Sequence, residues 1–201
     1  MNICLKAGKT IGSIFRNLSF NFKEQKSSQT IMIVIIFGLP GSGKSYFASR
    51  FAKVINAEYI NSDRVRKEMF QKRVYSDEEK KAVYDKMLEQ MKESVKQKKN
   101  LVLDATFHKK DIREMFIEAM RRKEEIFFIE VQADENIIRQ RLKKARQYSE
   151  ADFAVYKLIN RQNEPLNEPH LVLKSTDDNI DEMLLKASEY LKIKNDNRTH
   201  Q

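Results

Sequence analysis

A parallel, three-layer α/β domain is the fold class that the sequence predicts, on three observations. Short apolar runs rich in β-branched residues alternate with longer stretches of helical periodicity. The first run is apolar at every position, as a strand inside a parallel sheet must be when helices cover both of its faces. A glycine-rich loop then joins that run directly to a helical pattern.

The elements follow in order. Ile31 to Phe37 is the first strand, and a helix carrying Phe47, Phe51, Val54 and Ile55 follows its loop. Ala57 to Asn61 is the second strand, with a helical periodicity (Val65, Met69, Phe70) just beyond Asp63, a favoured N-cap residue. Ser76-Asp77-Glu78-Glu79 is a capping-box opening for a helix to about Lys98. Leu101 to Thr106 is the third strand, Lys109 to Lys123 a helix, and Ile126 to Val131 the fourth strand. Asp134 opens a helix to about Ala145, and Ser149 to Asp152 opens another to about Arg161. His170 to Leu173 forms a last strand and Asn179 to Ile193 a closing helix.

Composition bounds the class. Hydrophobic residues make up 41% of the 201, enough for a core and against wholesale disorder. The single cysteine, Cys4, excludes an internal disulfide framework and a thiolate-rich zinc site, and a reducing compartment, the cytoplasm, is expected. Ile31 to Leu39, the longest apolar run, is about half of the roughly 20 residues that a membrane helix needs. No integral membrane segment and no obligate protein partner are expected.

The net charge of +9 is unevenly spread. Residues 1–30 hold Lys6, Lys9, Arg16, Lys23 and Lys26 against Glu24 alone, a local +4. Ile11, Ile14, Phe15, Leu18 and Phe22 recur there at helical spacing, ahead of a polar stretch from Glu24 to Gln29. The expected organisation is a basic N-terminal extension at 1–30, a globular domain at 31–195 and a tail at 196–201. The extension reads as a tail, or as sequence upstream of a working start at Met32; a membrane-surface or transit segment is the alternative. Gly8-Lys9-Thr10 imitates a phosphate loop, but Ile3 stands where a glycine is required and no strand precedes it.

Three constellations carry chemistry. Gly38-Leu39-Pro40-Gly41-Ser42-Gly43-Lys44-Ser45 is the complete G-x-x-x-x-G-K-S pattern in its strand–loop–helix setting. Glycines let backbone N–H groups turn onto phosphate oxygens, and the helix start from Ser45 and Tyr46 adds partial positive charge. Lys44 is placed to reach β- and γ-phosphates and Ser45 to hold Mg²⁺. Asp63 ends the second strand, where an open α/β sheet puts its ligand crevice. With Arg66 facing the same crevice, Asp63 would accept the proton of an attacking hydroxyl while Arg66 steadies substrate or phosphoryl. Asp104 ends the third strand as a Walker B carboxylate for Mg²⁺ or its water shell. Thr106 and His108 lie just past it. Arg139, Arg141 and Arg146 surround the turn between two late helices, as the arginines of a helical lid would. Lys143 and Lys144 read as solvated surface.

GLPGSGKS, NSDRVRKEM, LVLDATF and the RQRLKKAR…SEADFAVYKLINRQNEPL stretch together resemble the "predicted kinase" group of P-loop phosphotransferases, whose members are often described as AAA-type ATPase domains. That group is related to the kinase half of phage polynucleotide kinase and, more distantly, to zeta toxins, chloramphenicol phosphotransferase and gluconate kinases. The similarity spans about residues 31–175. It implies a P-loop NTPase domain with a five-stranded parallel sheet in the order 2-3-1-4-5 and a helical lid. It implies ATP and Mg²⁺ on the loop and a hydroxyl acceptor beside Asp63. Asp63 takes the general-base position, Arg66 the substrate-phosphate position, and Arg141 or Arg146 the lid position. Glu164-Pro165 resembles the segment that often passes near the adenine. There are departures: no phosphatase domain is recognisable, and the spacing of Arg141 and Arg146 leaves the lid arginine open. Residues 1–30 have no counterpart.

The function expected is transfer of the γ-phosphoryl of ATP to a hydroxyl, on a nucleic acid 5′ end or on a metabolite, nucleoside or antibiotic. A nucleotide-binding ATPase without an acceptor is the alternative from another class. Because +4 of the +9 lies outside the domain, the charge is weak evidence about the acceptor.

Overall fold

The structure, a computed structural model, describes residues 31–120, 126–144, 149 and 151–196. The expectations placed on residues 1–30, on Arg146 and on residues 197–201 lie outside them.

Five strands form one parallel sheet: β1 (Ile33–Phe37), β2 (Glu58–Asn61), β3 (Leu101–Asp104), β4 (Ile126–Gln132) and β5 (Leu171–Lys174). Their order is β2-β3-β1-β4-β5, the order that the resemblance implied. The central strand owes its position to its sequence. Ile33, Val34, Ile35 and Ile36 are all fully buried, so a strand without a polar face sits where both faces are covered.

The helices are α1 (Lys44–Val54), α2 (Ser62–Met69), α3 (Asp77–Lys96), α4 (Lys110–Glu118), α5 (Glu135–Leu142), α6 (Phe153–Gln162) and α7 (Ile180–Asp196). On one face Val83, Met87 and Met91 of α3 and Phe116 of α4 pack against Ile33, Ile35, Leu101 and Leu103. On the other, Phe47 and Phe51 of α1 and Met183, Ala187 and Leu191 of α7 pack against Val34, Ile36, Val102 and Ile129. Alternate residues of each strand thus serve two separate cores, and burying them is the main drive for the three layers.

Asp134 stands at the N-cap of α5 as expected, without a side-chain cap bond. Of the other three helix starts with an expected cap, two match their capping residues. Ser76 caps α3, its hydroxyl accepting from the Glu79 N–H at 3.2 Å, and Asp152 caps α6 by accepting from the Val155 N–H at 2.9 Å. The third corrects the sequence reading. Asn61, not Asp63, caps α2, accepting from the Arg64 N–H at 3.0 Å. Asp63 lies inside the first turn with its carboxylate relieved of capping. The closing helix runs to Asp196, one residue past the expected domain limit.

Parallel pairing aligns the carboxyl ends of β1, β2 and β3. Ile36 of β1 and Asn61 of β2 both stand abreast of Asp104 of β3. The phosphate-type loop, the second strand's end and the third strand's end therefore open onto one edge, as open α/β sheets require of a ligand crevice.

Candidate active site

The loop after β1 is held in shape by backbone that only glycine tolerates. Gly38 has φ +144°, and an added Cβ would collide with the Val131 carbonyl oxygen of neighbouring β4. Gly43 has φ +95°, and a Cβ there would lie 2.7 Å from Ser175 Oγ and 3.0 Å from an Arg141 nitrogen. The glycine spacing thus meets a packing requirement as well as that of a phosphate cradle. The loop opens into a cleft of about 800 Å³. Gly41, Gly43, Lys44, Ser45 and Tyr46 line it, whereas Gly38, Leu39, Pro40 and Ser42 support it from behind.

The cleft has two wings. On the β2 side stand Tyr59, Asn61, Asp63 and Arg64. On the β5 side stand Arg141, Lys144, Ser149 and the segment Ser175-Thr176-Asp177. Asp63 therefore faces the same space as Lys44 and Ser45, as the sequence predicted.

Asp104 is fully buried beneath the cleft, behind Tyr59 and Asn61, and is not among the residues that line it. Its Oδ2 accepts from the Asn61 amide at 2.6 Å and from the Tyr59 hydroxyl at 2.7 Å. Its Oδ1 is buried with no hydrogen-bond partner among the described residues. Burial drives the carboxyl above its ordinary range, while Lys44 and the donors Tyr59, Ser45 and Asn61 act against that rise. Burial and the adjacent Asp104 charge also raise the Tyr59 hydroxyl, so it remains a proton donor to the carboxylate. A buried carboxylate whose second oxygen takes no hydrogen bond, with the Ser45 hydroxyl and Lys44 close by, fits a hard divalent cation. Among the described residues no cluster of three or more His, Cys, Asp or Glu side chains gathers as a metal site. Such a cation would depend on Asp104, Ser45 and phosphate oxygens.

Arg66 does not face the cleft, which corrects the expectation that it shares the crevice with Asp63. It is 8% exposed, with Nε 2.8 Å from Glu79 Oε1 and its guanidinium 4.9 Å from the centre of the Tyr75 ring. One terminal nitrogen lies 3.5 Å from Asp63 Oδ1. A buried carboxylate has drawn the arginine inward, because a buried charge without its partner is costly.

Arg141 lies on the β5 wing and is heavily engaged. It donates to the Ser42 carbonyl at 3.1 Å, to Ser175 Oγ at 3.1 Å and to the Thr176 carbonyl at 2.7 Å, and it pairs with Asp177 at 3.0 Å. It fastens the phosphate loop to the turn after β5. Arg139 stacks 3.9 Å from the Phe153 ring centre and pairs with Glu135 at 3.0 Å, outside the cleft. Lys144, expected on the solvated surface, lines it.

Thr106 and His108 sit behind the floor. The Thr106 hydroxyl is 3.3 Å from Tyr84 Oη and 3.4 Å from His108 Nδ1, and burial lowers the His108 pKa. Glu164-Pro165 is likewise outside the cleft. The Lys110 N–H donates to Glu164 at 2.7 Å, and Arg113 donates to the Pro165 carbonyl at 2.9 Å. That segment clamps the turn after β3.

Tyr59, Asn61, Arg64, Glu79 and Ser175 to Asp177 are the participants that sequence reasoning missed. Two signals pointed to them. Asn61 and Tyr59 alternate on one face of a strand that ends in a helix cap, and Ser175 to Asp177 is a polar run at a strand's carboxyl end.

Sheet order, glycine loop and strand-end carboxylate together define a P-loop nucleotide-binding domain of the kinase-fold type. The profile of the AAA domain family matches residues 33–167, and the chain belongs to that family. No curated protein matches it. Among solved structures, an unliganded sugar kinase from Janibacter sp. HTCC2649 aligns with TM-score 0.64 and 16% identity, over 81% of this chain and 95% of that one. The APS kinase of Mycobacterium tuberculosis in complex with AMPPNP and APS aligns with TM-score 0.61 and 17% identity, over 81% and 98%. The Pnkp1/Rnl/Hen1 RNA repair complex contains a chain aligned with TM-score 0.56 and 20% identity, over 69% and 45%. At these identities the likeness speaks for the fold. Among the described residues no helix is long and apolar enough to cross a membrane.

Proposed function

We propose that the protein is an ATP-dependent phosphotransferase that moves the γ-phosphoryl group to a hydroxyl acceptor. The observation that carries the reading is the placement of Asp63. Its carboxylate opens into the cleft at the start of a helix that Asn61 caps, opposite Lys44 and Ser45. Hydrolysis alone gives no reason for a second carboxylate on that wing.

The loop residues Gly41, Gly43, Lys44 and Ser45 would hold the phosphates, with Asp63 on one wing for the acceptor and Arg141 and Ser175 to Asp177 on the other for the nucleoside. The acceptor oxygen attacks the γ-phosphorus as its proton passes to the Asp63 carboxylate. The bond from that phosphorus to the β-phosphate oxygen breaks, and ADP leaves with the electron pair. Lys44 offsets the charge that develops on the transferring group. When bound, Mg²⁺ supplies charge neutralisation across the phosphates, and Ser45 and Asp104 are the residues to hold it. Arg141 keeps the loop in its phosphate-binding shape. Arg66 acts from behind, beside Asp63.

Two acceptor classes are separated by particular observations. A nucleic acid 5′-hydroxyl is supported by the likeness to the RNA repair complex and by Arg64 and Lys144 on the cleft wall. A small neutral acceptor is supported by the engagement of Arg66, whose charge Glu79 already answers. Labelled γ-phosphate transfer from ATP to a panel of 5′-hydroxyl oligonucleotides, nucleosides and sugars decides between them. Steep salt dependence of acceptor binding marks the nucleic acid. Phosphate release with no labelled acceptor across the panel would overturn the transferase reading in favour of an ATPase.

A further inference from the structure

We propose that Asn61 is a positioning residue that couples the cation-binding carboxylate of Asp104 to the placement of Asp63. Loading of the nucleotide side of the cleft then sets the acceptor side. The inference rests on the phosphotransferase reading and concerns how its two halves communicate.

Strand register puts Asn61 directly abreast of Asp104, so contact between them is built into the sheet. The two ends of the amide do different work. Nδ2 donates to Asp104 Oδ2 at 2.6 Å, and Oδ1 accepts the Arg64 N–H at 3.0 Å as the cap of α2. A carboxylate only accepts and a backbone N–H only donates, so the partners fix the orientation of the amide. Reversing it would set oxygen against oxygen and N–H against N–H. Asn61 is 6% exposed, which leaves little room for water to replace either bond.

Tyr59, two residues earlier on the same strand face, donates to the same Asp104 oxygen at 2.7 Å. Two donors thus immobilise Oδ2, while Oδ1 stays buried and bare. The carboxylate is held asymmetrically: one oxygen is anchored to β2, and the other takes no hydrogen bond. A cation held on Oδ1 would fix the carboxylate that Asn61 grips and steady the amide in turn, and Asn61 is what starts the helix bearing Asp63. Tyr59 holds Asp104 without sharing the cap hydrogen bond, and its link to the capped residue is its ring, 5.2 Å beneath the Arg64 guanidinium. Tyr59→Phe keeps that ring, so the two residues have separable effects.

The test uses the full chain with Mn²⁺ as probe and a non-hydrolysable ATP analogue, with no acceptor present. Mn²⁺ uptake is followed by electron paramagnetic resonance, and hydrogen exchange is read at residues 62–66. In the wild type, Mn²⁺ with the analogue slows exchange at 62–66. Asn61→Ser retains a good capping oxygen but loses the amide donor. It is expected to lower Mn²⁺ affinity about tenfold, as for loss of one hydrogen bond to a charged group, and to abolish the slowing. The lost buried bond lowers its urea midpoint, and Tyr59→Phe lowers it by a similar amount, so a difference in exchange between them is not one of stability. Tyr59→Phe lowers Mn²⁺ affinity and keeps the slowing. Full slowing in Asn61→Ser, or none in a wild type that does bind Mn²⁺ with the analogue, overturns the coupling. A wild type that binds no analogue overturns the phosphotransferase reading, and the coupling falls with it.

Discussion

Arg66 and Glu79 form a buried ion pair, Nε to Oε1 at 2.8 Å, with side chains 9% and 3% exposed. The second oxygen of Glu79 accepts from the N–H groups of Val74 (2.7 Å) and Tyr75 (3.0 Å). One carboxylate thus secures the chain entering α3 and an arginine on α2 together. Arg66 in turn reaches Asp63. The order of support runs from the turn before α3 through Glu79 and Arg66 to the candidate base.

Glu79→Gln keeps the shape and removes the charge, leaving a buried guanidinium whose nearest remaining carboxylate is 3.5 Å away. Loss of one partner of a buried pair is expected to cost about 3 kcal/mol, read from urea unfolding at neutral pH. The wild type also carries a pH signature. Burial acts to raise the Glu79 carboxyl, but the Val74 and Tyr75 N–H groups with Arg66 outweigh it and hold it below its ordinary value of 4.5. A carboxyl lowered in the folded state stabilises above its unfolded value and loses that contribution as pH falls through the folded one. The urea midpoint of the wild type should therefore fall faster below pH 4.5 than that of Glu79→Gln. Parallel curves would remove Glu79 from the acid response.

Much of this arrangement was legible in the residues themselves. The glycine loop, Lys44, Asp63 and Asp104 announce themselves because phosphate chemistry demands fixed residue types at fixed spacing, and the five strands because their apolar runs leave no other use for them. Arg66 was misplaced for a physical reason. Its spacing from Asp63 specifies a shared helix face, but the direction of its guanidinium is decided by Glu79, which arrives from a different helix. Glu79 itself was visible only as the last residue of a capping box, three after Ser76. Asn61 went unread because its two bonds depend on strand register and on where α2 begins, and sequence patterns place such boundaries only to within a few residues. Arg141 was visible as one basic residue among several; its four partners come from segments far apart in the chain.

Lys44→Ala and Asp63→Asn separate nucleotide handling from acceptor activation. Lys44 borders the cleft where the transferring phosphoryl would lie, so its loss should lower kcat/KM by about a hundredfold, on the order of 3 kcal/mol of transition-state stabilisation. Asp63→Asn should leave binding of a fluorescent ATP analogue unchanged and abolish transfer of labelled phosphate. Retained transfer in Asp63→Asn would exclude it as the base.

Arg141→Lys distinguishes a brace from a simple positive charge. The guanidinium satisfies two carbonyls, one hydroxyl and one carboxylate at once, a geometry that a single ammonium cannot reproduce. The lysine variant should therefore behave like Arg141→Ala, with ATP KM raised about tenfold or more, as expected when hydrogen bonds to a charged group are lost. If lysine restores wild-type KM, charge alone suffices and the bracing role fails. Titration of ATP in the transfer assay reads this directly.

Gly43→Ala tests whether the loop's shape depends on that same brace. The new methyl would stand 2.7 Å from Ser175 Oγ and 3.0 Å from the Arg141 guanidinium, on backbone with φ +95°. Two costs combine. One is the strained dihedral, about 1–3 kcal/mol for a residue other than glycine. The other is the clash with Ser175, which can be removed separately. Ser175→Ala deletes the nearer obstacle, so Gly43→Ala/Ser175→Ala should recover part of the stability and ATP affinity lost in Gly43→Ala. A coupling of about 1 kcal/mol is typical for residues in contact. Recovery should be incomplete, because the strained dihedral remains. Strict additivity in a double-mutant cycle of urea midpoints would show that the loop does not bear on the turn after β5.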